Sequence, residues 1–354
     1  MTTRTRVAAL TAAVATTALV AACSSGTAAG GGDDLTTVRF GLPTQMGANN
    51  SPMAVAEHLG YFAEEGIDLE IVHTTESTSI VQGVDSGSLE IGSTPPEPLW
   101  QTIANGGDVQ LVYNYIRQQT GSIVSLADGP VQELADLEGA AVGQSSLGSS
   151  NLLLSNGILA SAGLAEDEDF TNVAVGVGAA ALQALETDQV QALSLWDTEY
   201  AAFEATGVEL SYFTTDEVAS LFSTTYFTSP GYLEEHPDVV AGFGRAMAKA
   251  TLFTATNPEA ALRIMYEDHP NTRLAGTSED EQLDAALEGD PQGTGTWGAY
   301  DEAAVDAWSA FATGSGIVDT EIDARAHVGN TLVEEYNDFD GDAVVAEAEG
   351  WDGQ

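Results

Sequence analysis

The alternation of two residue patterns constrains this chain more than any other feature. Residues 38–42 read as a strand. Residues 51–65 place Met53, Val55, Ala56, Leu59 and Phe62 at helical spacing and stop at Gly66. A strand at 67–72, a short helix at 79–85, a short buried strand at 89–92, a helix at 99–105 and a strand at 109–115 follow. Strands separated by helical crossovers pair in parallel, so this βαβαβαβ order predicts an α/β fold with helices on the faces of a parallel sheet. The middle of the chain repeats the logic: strand 122–126, strand 140–143, helix 151–162, strand 172–175, helix 179–185, strand 192–195, helix 199–206 and strand 210–213. From about Tyr226 onward helices dominate, at 237–256, 258–266 and 301–311, and Pro230 and Pro237 both suit first-turn positions.

The N-terminus carries an address. Arg4 and Arg6 precede an uncharged run of Ala, Val, Leu and Thr at 7–19, too short to span a bilayer and closed by small residues. Val20-Ala21-Ala22-Cys23 resembles a bacterial lipobox, which implies a signal peptide at 1–22 and lipidation of Cys23. The alternative is ordinary cleavage after small residues beside an incidental cysteine. Residues 23–35 then form a Gly/Ser/Ala-rich flexible tether. The expected location is extracytoplasmic, anchored by lipid to the outer face of the cell membrane. Cys23 is the sole cysteine, so no disulfide can form within the chain.

The chain has 9 Lys and Arg against 54 Asp and Glu, a formal charge of −45. Such a field repels nucleic acid and anionic lipid. An acidic surface almost without lysine suits concentrated salt; attraction of cations is the other reading. The chain carries no Gly-x-Ser-x-Gly, His-Glu-x-x-His or phosphate-loop motif and no clustered His/Cys set. No catalytic residue, metal ligand or cofactor is therefore assigned, and the chain reads as a binder rather than an enzyme.

Gly60-Tyr61-Phe62-Ala63-Glu64-Glu65-Gly66-Ile67-Asp68-Leu69-Glu70 resembles a signature of the nitrate/sulfonate/taurine and thiamine-precursor group of ABC-transporter substrate-binding proteins. Leu89-Glu90-Ile91-Gly92, the segments 137–143 and 185–195, and Asn337-Asp338-Phe339-Asp340 resemble later steps of the same group, in the same order. The usual lysines of the second step are replaced, and Asp188 and Gln191 replace the usual Gly and Asp of the third. The resemblance implies a two-lobed type II periplasmic-binding-protein fold, with lobe one at 36–121 plus 225–354, lobe two at 122–224 and a ligand cleft between them. It implies delivery of a small molecule to a membrane permease by a monomer whose lobes close about crossovers near 120–123 and 222–227.

In parallel α/β sheets, ligands bind beyond the carboxyl ends of strands. That rule selects Gln45, Asn49 and Asn50 after the first strand, Thr94 after the strand at 89–92, and Tyr115 and Arg117 at the end of the fourth strand. It also selects Ser146, Ser149 and Ser150 before the helix at 151, and Trp196 and Asp197 after the strand at 192–195. Each has a plainer role beside the functional one: turn or cap for the Asn and Ser residues and Asp197, core packing for Tyr115 and Trp196, a surface ion pair for Arg117. Trp196, Asp197 and the Asn/Gln loop favour a neutral or amine-bearing ring such as a thiamine-pyrimidine precursor. The Ser/Gly helix start and Arg117 favour a sulfonate such as taurine. A surface sensor lipoprotein that does not transport is the remaining reading.

Overall fold

A computed structural model describes residues 35–272 and 296–353. The expected signal peptide, Cys23 and the expected tether, up to residue 34, lie outside the described residues. Among the described residues ten strands form two five-stranded sheets. The first holds β1 (Thr36–Leu42), β2 (Ile67–His73), β3 (Ile91–Thr94), β4 (Gln110–Asn114) and β10 (Thr225–Thr228), in the order β2-β1-β3-β10-β4. The second holds β5 (Gly121–Leu126), β6 (Ala141–Gln144), β7 (Thr171–Ala174), β8 (Ala192–Trp196) and β9 (Leu210–Phe213), in the order β7-β6-β8-β5-β9.

Both sheets are mixed, where the pattern predicted parallel ones. β1 is parallel to β2 and β3, but β10 is inserted between β3 and β4 and runs against both. In the second sheet β6 is parallel to β7 and β8, while β5 runs against β8 and β9. The chain's two crossings explain this. β3 and β4 run toward the crossings and β10 runs away from them, so Thr225 pairs with both Thr94 and Asn114. β5 likewise starts at a crossing, and Gly121 pairs with Trp196 at the end of β8. The ends of β3, β4 and β8 are thereby delivered to one boundary.

The helix expected over 51–65 is two: α1 (Ser51–His58) and α2 (Tyr61–Glu64). Gly60 between them has φ 76°, a left-handed conformation that glycine adopts without a Cβ penalty. The signature that follows is a packing device. Tyr61 and Phe62 are buried, and the Tyr61 hydroxyl donates to Glu347 Oε2 at 2.6 Å. Glu65 takes two bonds of 2.9 Å from Arg245 on the long helix Pro237–Thr256, and Glu64 pairs with Lys249, the chain's one lysine. Lys249 also lies 4.1 Å from the centre of the Tyr61 ring. The motif clamps the long helix to the first sheet.

One apolar cluster gathers Phe40, Phe62, Tyr113, Tyr226 and Phe243 beneath the first sheet; another packs Leu185, Leu195, Tyr200 and Phe203 against the second. A further cluster joins Ile80, Trp100 and Leu111 of the first half to Ile123, Leu154, Ile158 and Phe222 of the second. Trp308 lies at its heart, on the helix Glu302–Gly314. It is fully buried and its indole N–H donates to the Phe222 carbonyl at 2.8 Å. Among the described residues no helix is long and apolar enough to cross a membrane. Replacing Trp308 by Ala empties the middle of the shared cluster and orphans that carbonyl. The expected loss is about 3–5 kcal/mol in urea unfolding; a loss below about 1 kcal/mol, the size of an ordinary surface change, contradicts this packing role.

Candidate functional site

The second sheet supplies the most defined edge of the boundary. β8 is fixed by Tyr200, whose buried hydroxyl accepts from Leu195 N at 2.5 Å and donates to the Ser122 carbonyl at 2.8 Å. This holds the β8–β5 pair in register; its last residue, Trp196, is half-buried and packs against the apolar cluster of the second sheet. Trp196 has extended backbone (φ −135°, ψ 165°) and is the N-cap of α7 (Asp197–Glu204). Asp197 opens that helix and is partly buried; desolvation pushes its carboxyl up to about 7. Glu199, two residues on, is occupied: Oε2 accepts from Gly178 N at 2.6 Å.

The serine loop follows β6. Ser149 caps α5 (Ser150–Ser161), accepting from Leu152 N at 3.3 Å, and Ser150 and Asn151 are buried behind it. Ser146 Oγ donates to the Thr75 carbonyl at 3.1 Å, and Thr78 N donates to the Gly148 carbonyl at 3.5 Å. A Cβ on Gly148 would lie 2.9 Å from Thr78 Oγ1 and 3.0 Å from the Glu76 carboxyl carbon. The loop after β6 thus meets the loop after β2 closely, and glycine permits the approach.

The first sheet's candidates divide. Gln45 is exposed. Asn50 is buried and its Oδ1 accepts from Gly47 N at 3.0 Å, a turn bond. Asn49 offers its carbonyl to the Tyr115 hydroxyl at 2.7 Å, and the Tyr115 ring stacks on Tyr226 at 5.0 Å inside the core. Arg117 donates to the Thr296 carbonyl. Thr94 is the last residue of β3 rather than part of a following loop, because the strand runs two residues beyond its expected end. Its hydroxyl is fully buried with no partner among the described residues.

Glu97 was not selected by the sequence rule. It is the first residue of α4 (Glu97–Ala104), directly beyond β3 and the Pro95-Pro96 turn. It is 0% exposed, and neither carboxyl oxygen has a partner among the described residues. Burial pushes the group up to about 8. The available signal was an acid set between prolines at a strand's carboxyl end. Gln119 Nε2, Ser122 Oγ and Gln144 Oε1 are further buried polar atoms without partners among the described residues, near the crossing and at the end of β6. Buried polar groups are ordinarily hydrogen-bonded, so these atoms mark where a polar partner fits. The boundary is chemically mixed: indole surface, two raised carboxyls, amides, hydroxyls and a helix N-terminus.

The profile of the family described as "NMT1/THI5 like" matches residues 48–261. The formylaminopyrimidine-binding protein of Halalkalibacterium halodurans is 28% identical over 274 residues, covering 75% of this chain and 82% of the relative. The 4-amino-5-hydroxymethyl-2-methylpyrimidine phosphate synthase of Legionella pneumophila is 21% identical over 229 residues, 63% of this chain and 71% of the relative. The alkanesulfonate-binding protein of Xanthomonas axonopodis pv. citri, solved with MOPS, superposes with a TM-score of 0.65 at 17% identity, covering 83% of this chain and 98% of that one. The chain has the periplasmic-binding-protein fold.

Asp197 gives this site a pH signature. A carboxyl raised on folding is bound to its proton more tightly in the folded state than in the unfolded one. Stability from it is complete below about pH 4 and is lost as pH rises to about 7. The ligand-free protein should therefore melt at a lower temperature at pH 8 than at pH 5, and Asp197→Asn should flatten part of that fall. A variant with the wild-type slope in scanning fluorimetry contradicts the desolvated placement.

Proposed function

The chain belongs to the NMT1/THI5 like family, and from that premise we propose that it is an extracytoplasmic solute-binding protein for an ABC importer. Its ligand is a neutral or amine-bearing ring of the pyrimidine class. Asp197 carries this reading. A carboxyl held partly out of water at a strand end disfavours a bare anion and accepts from a ligand N–H, while Trp196 beside it offers a face for a planar ring. The name of the Halalkalibacterium relative supports the same class. One relative is a synthase, but this chain is read as doing no chemistry: its sole cysteine is assigned to the anchor, and no catalytic motif accompanies the cleft.

In this reading lobe one is 36–121 with 225–354, and lobe two is 122–224. Ligand favours the closed form because only there do both lobes touch it. The Ser146–Thr75 and Gly148–Thr78 contacts belong to that closed form. The closed monomer, tethered through Cys23, then docks on its permease. A sulfonate is the second reading, favoured by the capped start of α5 with Ser149 and Ser150. The engagement of Arg117 with the Thr296 carbonyl weighs against it.

The test is a thermal-shift screen of the protein from residue 34, in high salt, against aminopyrimidines, sulfonates, nitrate and small carboxylates. A ligand at 100 times its Kd adds about 2.7 kcal/mol. Stabilisation by an aminopyrimidine and none by sulfonates is expected. Stabilisation by a sulfonate alone overturns the proposed class.

A further inference from the structure

We infer that Glu97 is a ligand-reading group, and that it meets the ligand as a neutral carboxylic acid, one oxygen donating to a ring nitrogen and the other accepting from the adjacent exocyclic amine. The inference rests on the small-molecule reading above and goes beyond it by naming a residue and a bonding mode.

Three observations carry it. Position comes first: Glu97 opens α4 at the carboxyl end of β3, where the first sheet delivers its residues to the boundary, and α4 packs against α5 of the other half. Second, the carboxyl is fully buried and, among the described residues, both oxygens lack a partner, as do the Thr94 hydroxyl three residues earlier in the chain and the Trp100 indole N–H three residues later. A buried acid kept only for structure would be paired or hydrogen-bonded, because an unsatisfied one is costly. Third, among the described residues no cation acts to hold it ionised, and burial is the dominant influence on it.

The chemistry follows. A neutral acid offers one O–H donor and one carbonyl acceptor on a single planar edge. A ring nitrogen beside an exocyclic –NH2 presents the complementary acceptor and donor at the same spacing. A sulfonate or nitrate presents acceptors alone and leaves the carbonyl oxygen facing an anion. Glu97 therefore selects for the amidine-like edge of an aminopyrimidine.

Calorimetry on the protein from residue 34, with 4-aminopyrimidine and with pyrimidine itself, tests this on the wild type, Glu97→Gln, Glu97→Asp and Glu97→Leu. The amide of Gln keeps a donor and an acceptor without charge, so Glu97→Gln should hold 4-aminopyrimidine within about threefold of wild type. Glu97→Leu should bind about 30-fold more weakly or worse, the cost of two unpaired buried groups. Its preference for the amine-bearing ring over pyrimidine should vanish. Should Glu97→Leu fail to fold, Glu97→Asp, one methylene short of the ligand edge, should show the same loss. Glu97→Leu with wild-type affinity overturns the inference while the ligand class stands. Glu97→Gln as weak as Glu97→Leu overturns the neutral-acid mode. A wild-type protein that takes sulfonate and ignores both rings overturns the ligand class and this inference with it.

Discussion

One carboxyl removed from water, Glu97, and one held partly out of it, Asp197, are the constraint on which the rest of this structure turns. Desolvating an acid without a partner costs several kcal/mol, and proteins meet that cost by protonation, pairing or a ligand. Both acids open helices, α7 and α4, at the carboxyl ends of strands. The free N–H groups and partial positive charge of a helix start offset part of the cost for whatever charge remains. The two come from different sheets, so the same electrostatic solution is used on each side of the boundary.

The fold exists to bring those ends together. Antiparallel insertion of β10 into the first sheet and of β5 into the second turns both crossings toward one boundary. The signature at 60–70 supports this at a distance: Tyr61, Glu64 and Glu65 grip the long helix Pro237–Thr256, which stacks Phe243 on Phe40 at 5.3 Å behind β1. Trp308 braces the opposite side through Phe222. Between these two frames the loops at 74–78 and 145–149 touch.

Much of this was legible in the sequence. The helix from Pro237 to Thr256 has both ends where apolar spacing and Pro237 put them, and the alternation of strands and helices fixed the class. Two things were not legible, for physical reasons. The place of β10 depends on partners more than a hundred residues away, which local pattern does not encode. β3 ends at Thr94 rather than Gly92 because Ser93 and Thr94 are polar yet buried, and polar residues break the apolar run by which a buried strand is read. Glu97 escaped for the same reason: acids are read as solvated, and this one is not. Local rules are expected to fail at functional or strained positions, where a residue breaks the pattern its neighbours follow. Among the residues that strand ends did select, Trp196, Asp197 and the serines lie along the boundary, while Asn50 serves a turn and Tyr115 the core.

The central claim is that a donor-bearing ring is enclosed between the two halves. Small-angle scattering of the protein from residue 34, with and without saturating 4-aminopyrimidine, tests it most directly. Enclosure predicts a smaller radius of gyration with ligand, and a liganded scattering curve that matches the closed form. A bound ligand that leaves the radius unchanged, with a scattering curve more open than that form, would contradict the account.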